Sequence, residues 1–108
     1  MALEGKKRMT KCRITVRKVT EYRDLMEAYE LPLENACSMT VGDTFISEGE
    51  RPEGLCVTAW ETLCPFVREL CAGGGGFYGN WMKDPHSAMV SCNDGFRPVT
   101  FHLEAIDE

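Results

Sequence analysis

Ala88-Met89-Val90-Ser91-Cys92-Asn93-Asp94-Gly95-Phe96-Arg97-Pro98-Val99-Thr100-Phe101-His102-Leu103 is the stretch that decides the fold. An apolar run, Ala88 to Cys92, enters the turn residues Asn93-Asp94-Gly95, and the chain returns through Phe96 to Ile106. Asp-Gly between apolar runs is a strong short-range hairpin signal. On the return, Val99, Phe101 and Leu103 alternate with Thr100, His102 and Glu104. That period of two marks a strand with one buried face. Pro98 stands near the start of this strand and predicts an edge or a bulge, because proline cannot donate to a ladder.

The same period recurs at the other end of the chain. Cys12, Ile14 and Val16 alternate with Arg13, Thr15 and Arg17, giving a half-buried strand over 11–19. Residues 21–30 favour a helix with Leu25, Met26 and Tyr29 on one stripe, stopped by Pro32. Residues 32–43 read as irregular, and Thr44–Ser47 as a short strand. Thr58-x-x-Glu61 has the form of a capping box opening a second helix. On that helix Trp60, Leu63, Cys64, Val67 and Cys71 share one stripe. Pro65 predicts a kink, or a regular helix starting there, and Gly73 a C-terminal cap. Residues 73–87 read as a glycine-rich loop carrying Phe77, Tyr78 and Trp81. The sum is an α+β fold: a small antiparallel sheet of about four strands with two helices packed on one face. Residues 1–10 read as a flexible basic N-terminus and 11–108 as a single α+β domain.

A chain of 108 residues, 44% hydrophobic and 27% charged, supports one core. It buries roughly 65% of its unfolded surface, so no disulfide or metal framework is needed for folding. The net charge of −5 is uneven. Residues 1–18 carry +6 and the other 90 carry −11. The alternation of the basic residues fits the solvated face of an edge strand better than a convergent phosphate-binding surface. No nucleic-acid partner is therefore expected. The first residues lack an apolar signal-peptide core, and no apolar run is long enough for a membrane helix. The expected location is cytoplasmic, with reduced thiols and no membrane partner.

Six cysteines lie at 12, 37, 56, 64, 71 and 92, with no Cys-x-x-Cys pair. Cys12, Cys64 and Cys71 fall on apolar faces and read as small core hydrophobes. Cys37, Cys56 and Cys92 lie in or beside loops, where sites are built. They are candidate ligands for zinc or an iron–sulfur centre, or reactive thiols, with inert packing as the competing reading. His86 and His102 could pair with a thiol only if the fold brings them within hydrogen-bond reach. Trp60 is a candidate wall for the site. Asp94 and Arg97 are candidates for holding a small polar ligand, Arg97 by a bidentate contact; the plain alternative is a solvated hairpin tip. Gly73–Gly76 does not read as a phosphate loop, because the glycines follow a helix and its C-terminal end is negative. Phe77, Tyr78 and Trp81 fold back as core, line a pocket or form a contact with another copy.

Several motifs together resemble a family of small proteins of about this size that has no established activity. They are Cys37 in the first loop, Pro52-Glu53-Gly54-Leu55-Cys56, Ala59-Trp60, Gly73-Gly74 after the helix, and Cys92-Asn93-Asp94-Gly95-Phe96-Arg97-Pro98-Val99-Thr100-Phe101. The match spans most of residues 11–106. Ser38, where proline is expected, and the longer glycine run depart from it. The resemblance implies no reaction, but it stresses Cys37, Cys56 and Cys92. Three functions follow as expectations: a cysteine-lined site for a metal, iron–sulfur centre or small polar ligand; an assembly or protein-binding module, including a homo-oligomer, using the aromatic loop; or a small cysteine-dependent enzyme.

Overall fold

The computed structural model describes residues 10–32 and 39–107. It contains β1 (Lys11–Val19), α1 (Arg23–Tyr29), β2 (Thr44–Ser47), α2 (Val57–Cys71), the single turn α3 (Phe77–Asn80), β3 (Ser87–Ser91) and β4 (Val99–Ile106). The four strands form one antiparallel sheet in the order β2-β1-β4-β3. This is the expected α+β architecture. Among the described residues no helix is long and apolar enough to cross a membrane.

The period-two pattern explains the register. Ile14 stands opposite both Phe45 and Leu103, and Leu103 opposite Ala88. One face therefore collects Cys12, Ile14, Val16, Ala88, Val90, Val99, Phe101 and Leu103, all buried. Helix α2 covers it with Ala59, Leu63, Val67, Leu70 and Cys71. Leu63, Val67 and Leu70 are fully buried, and each contributes about 1.5–3 kcal/mol of transfer free energy. Leu55 plugs the entrance to α2 and joins the same core.

Several local expectations change. The hairpin forms, but through a seven-residue loop, 92–98, rather than a tight Asp-Gly turn. Gly95 does not adopt a positive φ, which the tight turn requires. Strand β4 is interior, not an edge; Pro98 lies just outside it, where no ladder donor is needed. The irregularity sits instead on β1 between Val16 and Lys18. Helix α2 starts at Val57 with Cys56 as its unbonded cap residue, so Thr58 lies in the first turn and forms no capping box. Arg51 donates to the Leu55 carbonyl at 2.8 Å and fixes the chain before that start. Pro65 stands inside α2 on its exposed side, where solvent can meet the carbonyl it leaves unbonded. Trp60 and Cys64 are half-buried; Leu70 and Ala59 take the fully buried positions.

The end of α2 is a Schellman motif. Gly73 (φ 89°) donates to the Leu70 carbonyl at 3.0 Å and Gly74 to Glu69 at 2.8 Å. Beyond it, Gly76 donates to the Pro85 carbonyl at 2.8 Å, and any Cβ on Gly75 would collide with that same carbonyl oxygen. The glycine run is thus a close backbone crossing. Phe77 packs against Phe66 in a tilted arrangement with ring centroids 5.2 Å apart, and the Tyr78 hydroxyl donates to the Met89 carbonyl on edge strand β3 at 2.6 Å. Two of the three loop aromatics fold back, whereas Trp81 stays 84% exposed.

Helix α1 buries none of its residues, so its predicted apolar stripe is not a core face. It is tied down at its ends. Thr20 and Tyr22 donate to the carbonyls of Pro98 and Phe96 at 3.0 and 2.9 Å. Glu30 takes a two-pronged bond from Arg97 at 2.8 and 2.9 Å. Of the proposed basic N-terminal segment, residues 1–9 lie outside the described residues, and Thr10 donates to the Cys71 and Leu70 carbonyls.

Candidate functional site

The start of α2 and the hairpin loop 92–98 come together at one end of the sheet. A cavity of about 120 Å³ lies between them, lined by Met39, Cys56, Thr58, Ala59, Cys92, Asp94, Arg97, Val99 and Phe101. Each wall has a local cause. Cys56 is the N-cap residue of a 15-residue helix. Cys92 immediately follows β3, and its backbone N–H donates to the Val99 carbonyl at 2.9 Å. In return the Val99 N–H donates to Cys92 Sγ at 3.3 Å, so the sulfur stands where a carbonyl would continue the ladder. Met39 precedes a turn in which Asp43 donates to the Thr40 carbonyl at 2.9 Å. That turn docks on β1: the Gly42 N–H donates to the Val16 carbonyl at 2.8 Å, and the Val16 N–H donates to the Asp43 carbonyl at 2.9 Å.

Four residues singled out in the sequence thus share one cavity: Cys56, Cys92, Asp94 and Arg97. Trp60 does not line it; Thr58 and Ala59 hold that wall. Cys37 lies outside the described residues. Among the described residues no three His, Cys, Asp or Glu side chains are grouped to hold a metal ion.

The two charged residues at the cavity serve the fold. Asp94 Oδ1 accepts from the backbone N–H groups of Phe96 and Arg97 at 2.8 and 3.1 Å, shaping the loop. The Arg97 guanidinium is spent on Glu30, which hydrogen-bonds it and raises its pKa further. The bidentate geometry expected for a ligand carboxylate is present, but the carboxylate belongs to the chain. Glu30 was invisible to sequence reasoning because it lies far from Arg97 along the chain.

Neither histidine lines this cavity, so no Cys–His pair forms there. His86 is exposed, with Nδ1 3.1 Å from the Gly74 carbonyl oxygen. It borders a separate open groove with Asp84 and Asp107. His102 is not a solvated surface residue: its Nδ1 is buried without a hydrogen bond, 3.8 Å from Glu104 Oε2. Glu104 is held by Arg13 at 3.0 Å.

The remaining thiols divide by environment. Cys12 and Cys71 are buried together between the sheet and α2. Burial, and then the neighbouring Cys71, push the Cys12 thiol up to about 12. Burial, and then Glu48, also raise Cys71, whose Sγ donates to the Ser47 carbonyl at 3.6 Å. These two are protonated packing groups. Cys56 and Cys92 are half-buried against the cavity. Met39 and Thr58 are wall residues that the sequence does not single out: Met39 lies in a stretch without periodicity, and Thr58 has the sequence form of a helix cap.

Comparison with protein-family models, with curated proteins and with solved structures gives no match.

Proposed function

We propose that this chain is a small ligand-binding domain whose site is the cavity between the start of α2 and the hairpin loop, with Cys56 and Cys92 as its reactive walls. One observation carries the reading: two thiols from sequence-distant elements line the same 120 Å³ space. Typical cofactor and drug-sized pockets run to about 300–1,000 Å³. A space near 120 Å³ is closer to an apolar cavity of about 150 Å³ that accepts benzene. The ligand is therefore an ion or a molecule of a few heavy atoms, not a nucleotide. The resemblance of the Cys56 and Cys92 motifs to a small-protein family adds emphasis to the same two thiols.

The test is thiol labelling of the folded protein, purified anaerobically and stripped with a chelator. A small methanethiosulfonate reagent should modify Cys56 and Cys92 well before Cys12 and Cys71, as mapped by peptide mass spectrometry. Labelling of Cys56 and Cys92 no faster than that of Cys12 would overturn the reading.

A second reading rests on Trp81, which stands 84% exposed beside a loop whose other aromatics are packed. It is the contact of an assembly module for another copy of the chain. Light scattering of wild type and Trp81→Ala decides: a monomeric wild type removes the motive.

A further inference from the structure

The walls of the cavity hold a third sulfur. Met39, Cys56 and Cys92 line the same 120 Å³ space, and the rest of the lining is divided between apolar Ala59, Val99 and Phe101 and polar Thr58, Asp94 and Arg97. Thiolate and thioether sulfurs are soft donors and favour a soft ion such as Cu(I). Hard cations prefer carboxylates and water. The nearest carboxylate, Asp94, already has Oδ1 committed to two backbone N–H groups. The Arg97 charge is paired with Glu30, which offsets its repulsion of a cation.

Two further features suit bound thiolates. The Val99 N–H already donates to Cys92 Sγ at 3.3 Å, and hydrogen bonds to sulfur stabilise its charge in metal sites. Cys56 caps a 15-residue helix without using its side chain as a cap, and Cys56, Thr58 and Ala59 line the cavity, so the positive dipole end of α2 lies at its wall. A dithiolate complex of a monovalent ion carries one net negative charge, which these donors offset.

We infer that Cys56, Cys92 and Met39 form a binding site for one soft monovalent d10 cation, Cu(I), within the ligand site proposed above, on which this inference rests. Binding converts two thiols to thiolates: Cu(I) enters, two S–H bonds break, two protons leave to solvent, and two Cu–S bonds form. No oxidation state changes. Met39 supplies a neutral third sulfur.

The experiment is anaerobic Cu(I) titration against a chromogenic Cu(I) chelator, using the full chain carrying Cys37→Ser and Cys64→Ser so that neither of these thiols contributes. One equivalent of Cu(I) should bind, with release of about two protons per ion near neutral pH. Cys56→Ser or Cys92→Ser should abolish binding. Met39→Leu, which conserves volume, should weaken it about tenfold or more while leaving the melting temperature nearly unchanged. Zn(II) should compete poorly. Binding of Zn(II) as tight as Cu(I), or Cu(I) affinity unaffected by Met39→Leu, overturns the three-sulfur site while leaving the thiol-lined ligand site standing. Cu(I) bound equally well without Cys56 and Cys92 overturns it as well. Thiols at 56 and 92 that also resist labelling take down both readings. Should a serine variant fail to fold, the wild-type comparison of Cu(I) with Zn(II) still decides.

Discussion

Replacing Cys12 with alanine should flatten the alkaline limb of this protein's stability curve. Cys12 is fully buried, and its thiol is pushed from the ordinary 9.0 to about 12, first by burial and then by Cys71. Below pH 9 both the folded and the unfolded chain keep the proton, so the stability this thiol contributes is fully present. As pH rises from 9 towards 12, the unfolded chain ionises while the folded chain does not. The unfolded state then binds fewer protons, and stability falls by about 1.4 kcal/mol per pH unit, towards about 4 kcal/mol in all. At about pH 11 the loss should be roughly 2.5–3 kcal/mol, a large share of the ~5–15 kcal/mol typical of a small domain. Lysines and tyrosines also titrate there, so the informative quantity is the difference between wild type and Cys12→Ala. At about pH 8 the variant should be the less stable by roughly 1–2 kcal/mol for the lost volume. That gap should close and reverse by about pH 11. Urea midpoints followed by tryptophan fluorescence across this range provide the measurement. A gap constant to within about 0.5 kcal/mol would refute the claim that burial holds the proton on Cys12.

Three further outcomes are expected. Phe101→Ala, at a fully buried position that also lines the cavity, should cost roughly 3–5 kcal/mol in urea unfolding; a cost below about 1 kcal/mol would mean that the β4 face is not packed as described. Gly75→Ala should cost about 1–3 kcal/mol, since its Cβ meets the Pro85 carbonyl rather than a yielding side chain; the same change at Gly79, which has open space around it but a φ of 65°, tests backbone strain alone. Glu30→Gln removes the charge that holds Arg97 and should raise amide exchange in α1 by about tenfold while leaving β1 and β4 unchanged; equal protection of α1 in both proteins would show that its other ties suffice.

The elements with strong periodicity were legible residue by residue. Cys12, Ile14 and Val16, and Val99, Phe101 and Leu103, alternate in sequence and are all buried on one face. The stripe on α2 predicted Leu63, Val67 and Cys71 correctly. Helix α1 has a similar stripe, yet Leu25 and Tyr29 remain exposed, because an apolar stripe is buried only where another surface meets it. The Asp94-Gly95 signal located the hairpin but not its seven-residue loop. There Asp94 bonds two backbone N–H groups and so replaces the turn that glycine would have supplied.

The sequence by itself determined the antiparallel sheet, its buried face and the helix that covers it, because side-chain period is a local property and burial follows from it. It also set Cys56 and Cys92 apart from Cys12 and Cys71 by their places beside loops. Only the tertiary structure brought Met39, Cys56 and Cys92 to one cavity, and only it spent Arg97 on Glu30 instead of on a ligand. Those relations join residues far apart in the chain. They depend on strand order and on where α2 begins, which no local pattern encodes.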